Sequence, residues 1–168
     1  IISLQSDAFA GAAGADKTRN APTLRMKGFS RALSEAGISL SSEHVVNLTC
    51  GVTLSDGRKA AEEIAKMKSR PTAVVCMSDI VAIGCILAFT EQGITVPRDI
   101  SVTGFDNIPE AALVSPRLTT IDQPGVKKGT LAAESLFKMI DGKAISTNRM
   151  EIPFSYIERD SLGPPGLN

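Results

Sequence analysis

The sequence predicts an α/β fold, a doubly wound parallel sheet with helices on both faces. Two observations carry this prediction. Short apolar runs alternate with amphipathic segments of helical length, which is the pattern of consecutive βαβ units. The clearest of the runs, at residues 72–77, is apolar on both faces, as expected for a strand that is covered on both sides.

Each element has its own signal in the sequence. The strands are expected at residues 1–4, 45–49, 72–77, 100–104 and 118–121, and the last segment, 154–159, should return to the same lobe. The helices are expected to begin near Thr23, Ser55 or Asp56, Ser78 or Asp79, and Val126, and to end at Gly37, Gly93 and Gly142. Residues 6–22 have loop composition, and the tail from Gly163 should be loose.

Length, charge and cysteine usage narrow the class of protein. The 168 residues suit one domain or one large lobe, and 43% of them are apolar, enough to bury a core. The 18 basic residues only balance the 18 acidic ones, whereas a free-standing nucleic-acid binder usually has a basic excess. No segment approaches the roughly 20 apolar residues that cross a bilayer. Cys50, Cys76 and Cys85 lack metal-type spacing and are expected to be small buried hydrophobes, which favours a reducing compartment, the cytoplasm.

Enzyme chemistry finds little support in the sequence. The one histidine, His44, lies at the start of a predicted strand, where a structural or solvated role is usual. The sequence contains neither a phosphate-binding loop motif nor the Gly-x-Ser-x-Gly motif of a nucleophile elbow. No nucleophile has a visible base partner. We therefore expect no catalytic residues, no metal and no cofactor.

Binding chemistry is better supported, because ligands of open α/β sheets bind beyond the carboxyl ends of the strands. Asp79 and Asp106 both lie at such strand exits. Asp79 is interpreted as a helix cap. Asp106 is either a turn former or, with Phe105 beside it, part of a site for a hydroxylated ligand. Arg25 is either a solvated helix residue or a bidentate clamp.

Five blocks of sequence carry a family resemblance, and they span nearly the whole chain in one order. Residues 25–37 read R-M-K-G-F-S-R-A-L-S-E-A-G, residues 71–84 contain P-T-A and S-D-x-x-A-x-G, and residues 96–107 read V-P-R-D-I-S-V-T-G-F-D-N. Residues 118–124 read L-T-T-I-D-Q-P, and residues 158–161 read E-R-D-S. Together they resemble the lactose-repressor/purine-repressor (LacI-type) family of bacterial transcription regulators.

The resemblance implies a domain organisation. The family has a helix-turn-helix head and a two-lobed sensor like a periplasmic-binding protein, and this chain is similar to the C-terminal lobe of that sensor. By analogy, residues 1–121 and 153–163 form this lobe, residues 122–152 belong to an otherwise missing N-terminal lobe, and residues 164–168 are a loose tail. Since the chain opens without Met, it is expected to be a piece of a longer protein.

The resemblance also implies an effector site. The family's effector contacts correspond to Arg25, Ser78 and Asp106, with Phe105 adjacent. Ser78 stands where Asn is common, so a hydroxyl replaces an amide, and Val52 occupies a position that often carries an aromatic wall. The implied partner is a small-molecule effector, a sugar or a nucleobase-like compound.

The implied function is allosteric regulation rather than catalysis. The effector controls operator affinity, and DNA is bound only through the missing helix-turn-helix head. A homodimer is expected through Ile83, Leu113 and Val114. The alternative is a periplasmic sugar-binding protein of a transport system, which has the same lobes.

One amphipathic helix is expected to lack a cover. Its apolar face comprises Val126, Ala133, Leu136, Phe137 and Ile140. By family analogy this face packs on strands of the N-terminal lobe. We therefore expect the helix to dock on another copy of the chain or to be poorly ordered.

Overall fold

The structure, a computed structural model, describes residues 2–4, 21–39, 46–48, 52–144 and 150–164. The strands in these ranges are β1 Ile2–Leu4, β2 Val46–Leu48, β3 Ala73–Val75, β4 Ser101–Thr103, β5 Thr120–Asp122 and β6 Ser155–Ile157. The helices are α1 Ala21–Glu35, α2 Leu54–Ala65, α3 Asp79–Glu91 and α4 Gly125–Ile140, with a 3₁₀ turn at Pro109–Ala112. The predicted alternation of strands and helices is confirmed.

Strand pairing follows the predicted parallel arrangement, with one antiparallel addition. β1 pairs with β2, and β3 pairs with β4, both in parallel. A parallel bridge between Thr103 and Thr119 extends the β3–β4 pair towards β5. β6 runs antiparallel to β5, with Ile157 opposite Thr120. The final segment therefore returns to the sheet as expected.

Local signals determine where the helices begin and end. Thr53 caps α2 in a capping box: its hydroxyl accepts from the Asp56 amide at 3.2 Å, and the Asp56 carboxylate accepts from the Thr53 amide at 3.0 Å. Gly37, Gly93 and Gly142 follow α1, α3 and α4 with φ of 72°, 74° and 69°, a conformation that favours glycine. The sequence predicted these three ends correctly.

The hydrophobic core lies between α2, α3 and the β3–β4 pair. Its largest buried side chains are Phe89, Ile64, Ile86, Ile100, Leu118 and Val74. α2 and α3 approach so closely that a Cβ on Gly57 would lie 2.1 Å from the Val81 carbonyl oxygen. None of the helices in the described ranges combines the length and apolarity needed to span a bilayer.

Two of the cysteines behave as predicted. Cys76 and Cys85 are free thiols buried in the core. Cys85 donates to the Gly57 carbonyl oxygen at 3.1 Å. A hydrogen bond with Cys85, and then burial, raise the pKa of the Cys76 thiol, so this thiol stays protonated. Both buried cysteines act as packing groups. Cys50 and His44 lie outside the described residues.

The C-terminal segment is tied to the sheet further than expected. The amide of Gly163 donates to the Ser101 hydroxyl at 3.1 Å, and that hydroxyl donates to the Gly163 carbonyl at 3.2 Å. The prediction of a loose chain from Gly163 onwards is therefore wrong at its first residue. Residues 165–168 lie outside the described ranges.

The face of α4 is open, and no residue of this helix is buried. Val126 is 89% exposed, Phe137 66% and Ile140 69%. The expected apolar stripe is present and uncovered by its own lobe. The assignment of residues 122–152 to a second lobe stays a prediction.

The three residues expected at a dimer interface differ in environment. Ile83 is buried in the core at 6% exposure, so packing within the chain already explains its apolar character. Leu113 is 80% exposed, and Val114 is partly buried against the core. A role of Ile83, Leu113 and Val114 in dimerisation stays a prediction.

Candidate functional site

The candidate site lies at the carboxyl ends of β3 and β4, where α1 approaches the sheet. Met77 and Ser78 follow β3, Phe105 and Asp106 follow β4, and Arg25 comes from the second turn of α1. Open α/β sheets place their ligand sites at this edge. Three of the predicted site residues, Arg25, Phe105 and Asp106, are in mutual contact here.

Arg25 is the centre of this cluster. Its guanidinium carbon lies 3.7 Å from the centroid of the Phe105 ring, and its Nη2 lies 3.6 Å from Asp106 Oδ1. Its Nη1 donates to the Met77 carbonyl oxygen. Burial lowers the pKa of Arg25, and the charge of Asp106 opposes that shift. The guanidinium keeps its proton and presents a fixed cation at the site.

Asp106 and Asn107 adopt unusual backbone angles, with φ of 120° and 54°. Hydrogen bonds to β5 hold both residues in place. The Asp106 amide donates to the Ile121 carbonyl at 2.9 Å, and Asn107 Nδ2 donates to Asp122 Oδ1 at 3.0 Å. Positive φ in residues other than glycine costs free energy and is concentrated at functional sites. The loop is thus rigidly attached to β5.

Ser78 occupies the N-cap position of α3, yet its side chain makes no capping hydrogen bond. Ser78 is 7% exposed, and its hydroxyl has no hydrogen-bond partner among the described residues. Buried hydroxyl groups are normally paired. Ser78 directly follows Met77, whose carbonyl Arg25 contacts, and the expected role of Ser78 in ligand binding stays a prediction.

Asp79 has a role that the sequence interpretation missed. Its carboxylate does not cap α3 but accepts from the Thr120 hydroxyl at 2.5 Å and from the Ile108 amide at 2.9 Å. A Cβ on Gly104 would lie 2.1 Å from Asp79 Oδ1. Burial raises the pKa of Asp79, and these hydrogen bonds oppose the shift. Asp79 therefore joins α3, the loop after β4 and β5.

An apolar hollow of about 280 Å³ opens beside the cluster. Its walls include Phe105, Ile121, Pro124, Ile152 and Phe154, together with the polar side chains of Gln123 and Lys128. The site therefore combines a charged pair with a mainly apolar wall. No group of side chains in the described ranges has the composition of a metal site.

Two more residues concern the site: Val52, which the sequence predicted there, and Gln123, which it did not. Val52 packs against the hydrophobic core, and its role as a wall of the site stays a prediction. Gln123 was not expected at the site, but its Nε2 donates to Asp106 Oδ1 at 2.6 Å. The Q-P pair at residues 123–124 was visible only as part of a family block, with no chemical signal for this contact.

Comparison with known proteins gives one consistent result. Residues 4–162 match the model of the periplasmic binding protein-like domain. A relative in Yersinia enterocolitica, the HTH-type transcriptional repressor PurR, is 41% identical over 152 residues, which cover 90% of this chain and 44% of the relative. The chain thus spans less than half the length of such relatives, which are transcription regulators.

Solved structures agree with this comparison. A sugar-binding transcriptional regulator of the LacI family from Escherichia coli, complexed with phosphate, is 27% identical with a TM-score of 0.77, over 96% of this chain and 54% of its own. A LacI-family regulator from Lactobacillus casei with bound sucrose is 25% identical with a TM-score of 0.71, over 82% of this chain and 50% of its own. Both likenesses favour a regulator over a transport protein.

Proposed function

Because the chain belongs to the periplasmic-binding-protein-like domain family, in its LacI-type regulator branch, we propose that it senses a small effector for a transcription regulator. The observation that carries this proposal is the contact of Arg25, Phe105 and Asp106 at the strand exits. The cluster supplies a cation, a carboxylate and an aromatic ring at the edge where this fold binds ligands.

The chemistry of the cluster favours a hydroxylated effector, a sugar or a related metabolite. Asp106 accepts hydrogen bonds from hydroxyl groups, and Arg25 donates them. The guanidinium of Arg25 already covers one face of the Phe105 ring at 3.7 Å. A nucleobase would have to stack on the other face or displace Arg25. The apolar hollow next to Phe105 suits the carbon face of a sugar ring.

The proposed mechanism is a shift between two arrangements of a regulator. An effector that contacts this lobe and a second lobe favours one arrangement and thereby changes operator affinity in a separate DNA-binding head. Residues 122–152 belong to the second lobe in this proposal. The chain itself contributes no catalysis, works in the cytoplasm, and forms a dimer in which Leu113 and Val114 take part.

Calorimetric titration of the chain tests the proposal, with sucrose, glucose, ribose, adenine and guanine as probes. We expect at least one sugar to bind, and Asp106→Asn to weaken that binding by roughly 10- to 100-fold, the loss of a charge-assisted hydrogen bond. Asn tolerates positive φ, so the loop is preserved.

Asp160→Asn is the matched control, since Asp160 is exposed and pairs with Arg117 away from the site. It should bind the same sugar with unchanged affinity. Binding of a nucleobase alone would overturn the sugar class. Sugar binding that survives Asp106→Asn would remove the cluster from the site.

A further inference from the structure

A line of polar side chains runs from the cluster to α4. Gln123 Nε2 donates to Asp106 Oδ1 at 2.6 Å, the same oxygen that lies 3.6 Å from Arg25 Nη2. Lys128 Nζ donates to Gln123 Oε1. The line therefore connects α1, the loop after β4, the exit of β5 and the first turn of α4.

Glutamine has the chemistry that the middle position requires. Its amide donates through nitrogen to the Asp106 carboxylate and accepts through oxygen from the Lys128 ammonium. Both hydrogen bonds have one charged partner, which makes them stronger than neutral ones. Glutamate in this place would repel Asp106, and methionine would make neither bond.

The backbone at Gln123 is also the joint between β5 and α4. Its carbonyl accepts from the Gly125 amide at 2.7 Å, and the Lys128 amide donates to the Pro124 carbonyl at 2.9 Å. The Asp106 amide meanwhile donates to the Ile121 carbonyl at 2.9 Å. The side chain that contacts Asp106 is thus carried by the two-residue connection between β5 and α4.

We propose that Gln123 is a positioning residue of the effector site, which orients Asp106 and couples it to Lys128 at the start of α4. The inference rests on the proposed function, in which Asp106 binds the effector. A ligand hydroxyl that donates to Asp106 Oδ1 competes with Gln123 for that oxygen. Occupancy of the site is then transmitted to α4 by the release of Gln123.

A triple-mutant cycle tests the coupling without any effector, so its failure is separate from a failure of the proposed function. The cycle uses Asp106→Gly, Lys128→Met and their combination, each prepared in the wild-type and in the Gln123→Met background. Unfolding constants are measured in urea. Glycine suits the φ of 120° at Asp106, so the loop is retained. Gln123→Met keeps the length of the side chain.

We expect the changes at Asp106 and Lys128 to be non-additive by roughly two- to fivefold in the unfolding constant when Gln123 is present, as for partly exposed charged groups. In the Gln123→Met background the two changes should become additive. Lys127→Met, on the exposed neighbouring lysine, replaces Lys128→Met as the control and should be additive in both backgrounds.

Hydrogen exchange supplies the second measurement. Asp106→Gly withdraws the shared oxygen, as a ligand would, and should change amide exchange in the first turns of α4 only when Gln123 is present. Non-additivity that persists after Gln123→Met and fades in high salt would reveal direct attraction between Asp106 and Lys128 and overturn the proposal. Additivity in the wild-type background would also overturn it.

Discussion

Replacing Ser161 by alanine should cost the chain a large part of its stability. Ser161 is fully buried, and its hydroxyl accepts from the Thr119 amide at 2.8 Å and donates to the Val102 carbonyl at 2.6 Å. Alanine leaves the Thr119 amide buried without that partner, a penalty of about 1–3 kcal/mol, and removes the bond to Val102. We expect a total loss of roughly 2–4 kcal/mol in the free energy of unfolding. For an average domain this free energy is about 5–15 kcal/mol.

Urea denaturation measures this loss, with an unchanged denaturant slope as the sign that the mechanism is local. Ser135→Ala is the matched control. The Ser135 hydroxyl donates to the Leu131 carbonyl at 2.8 Å within α4, where alanine is a better helix former. Its unfolding free energy should be unchanged or slightly higher. If Ser161→Ala also stays within about 0.5 kcal/mol of the wild type, the hydroxyl does not hold β4 to β5.

Three further predictions concern the loop, the buried carboxylate and the open helix. Gly104→Ala should lower the unfolding free energy by about 1–3 kcal/mol because its Cβ would overlap Asp79. Gly129→Ala, in the exposed part of α4, should raise it by about 0.5–1 kcal/mol. Equal effects of the two substitutions in urea denaturation would contradict this. Burial raises the pKa of Asp79, so the native state binds that proton more tightly than the unfolded chain. The wild type should therefore gain stability relative to Asp79→Asn as pH falls from neutrality through the raised pKa, and a difference independent of pH would refute the shift. Light scattering should show association of the chain that Phe137→Glu reduces, and a particle mass that this substitution leaves unchanged would show that the open face of α4 does not associate.

The elements of this fold were predictable because their signals are local. The spacing of apolar residues, the capping residues and the terminal glycines located the helices to within a few residues. For example, α1 begins at Ala21 instead of Thr23, and α4 at Gly125 instead of Val126. Two strands, expected at residues 72–77 and 100–104, were predicted longer than the structure has them, because apolar character does not end where strand pairing ends. At residues 72–77, for example, the ladder covers only Ala73–Val75.

The site was predictable only where a resemblance supplied the contact. Arg25 and Asp106 are 81 positions apart in sequence, and spacing alone gives no reason to pair them. Asp79 was misread because an acidic residue at a helix start usually caps it. Thr120, whose hydroxyl donates to the Asp79 carboxylate, is brought close by sheet order, which a linear pattern does not encode.

The open face of α4 and the hollow beside Phe105 belong to one surface. Ile152 and Lys128 line both this hollow and a neighbouring one of about 340 Å³ along α4. Phe154 and Tyr156 continue the surface, at 69% and 54% exposure. Large apolar side chains that remain exposed together usually mark a contact surface. In the proposed function α4 belongs to the second lobe, and the rest of that lobe would cover these side chains from the side on which Arg25 and Asp106 bind the effector, so the same lobe would bury both the helix and the ligand.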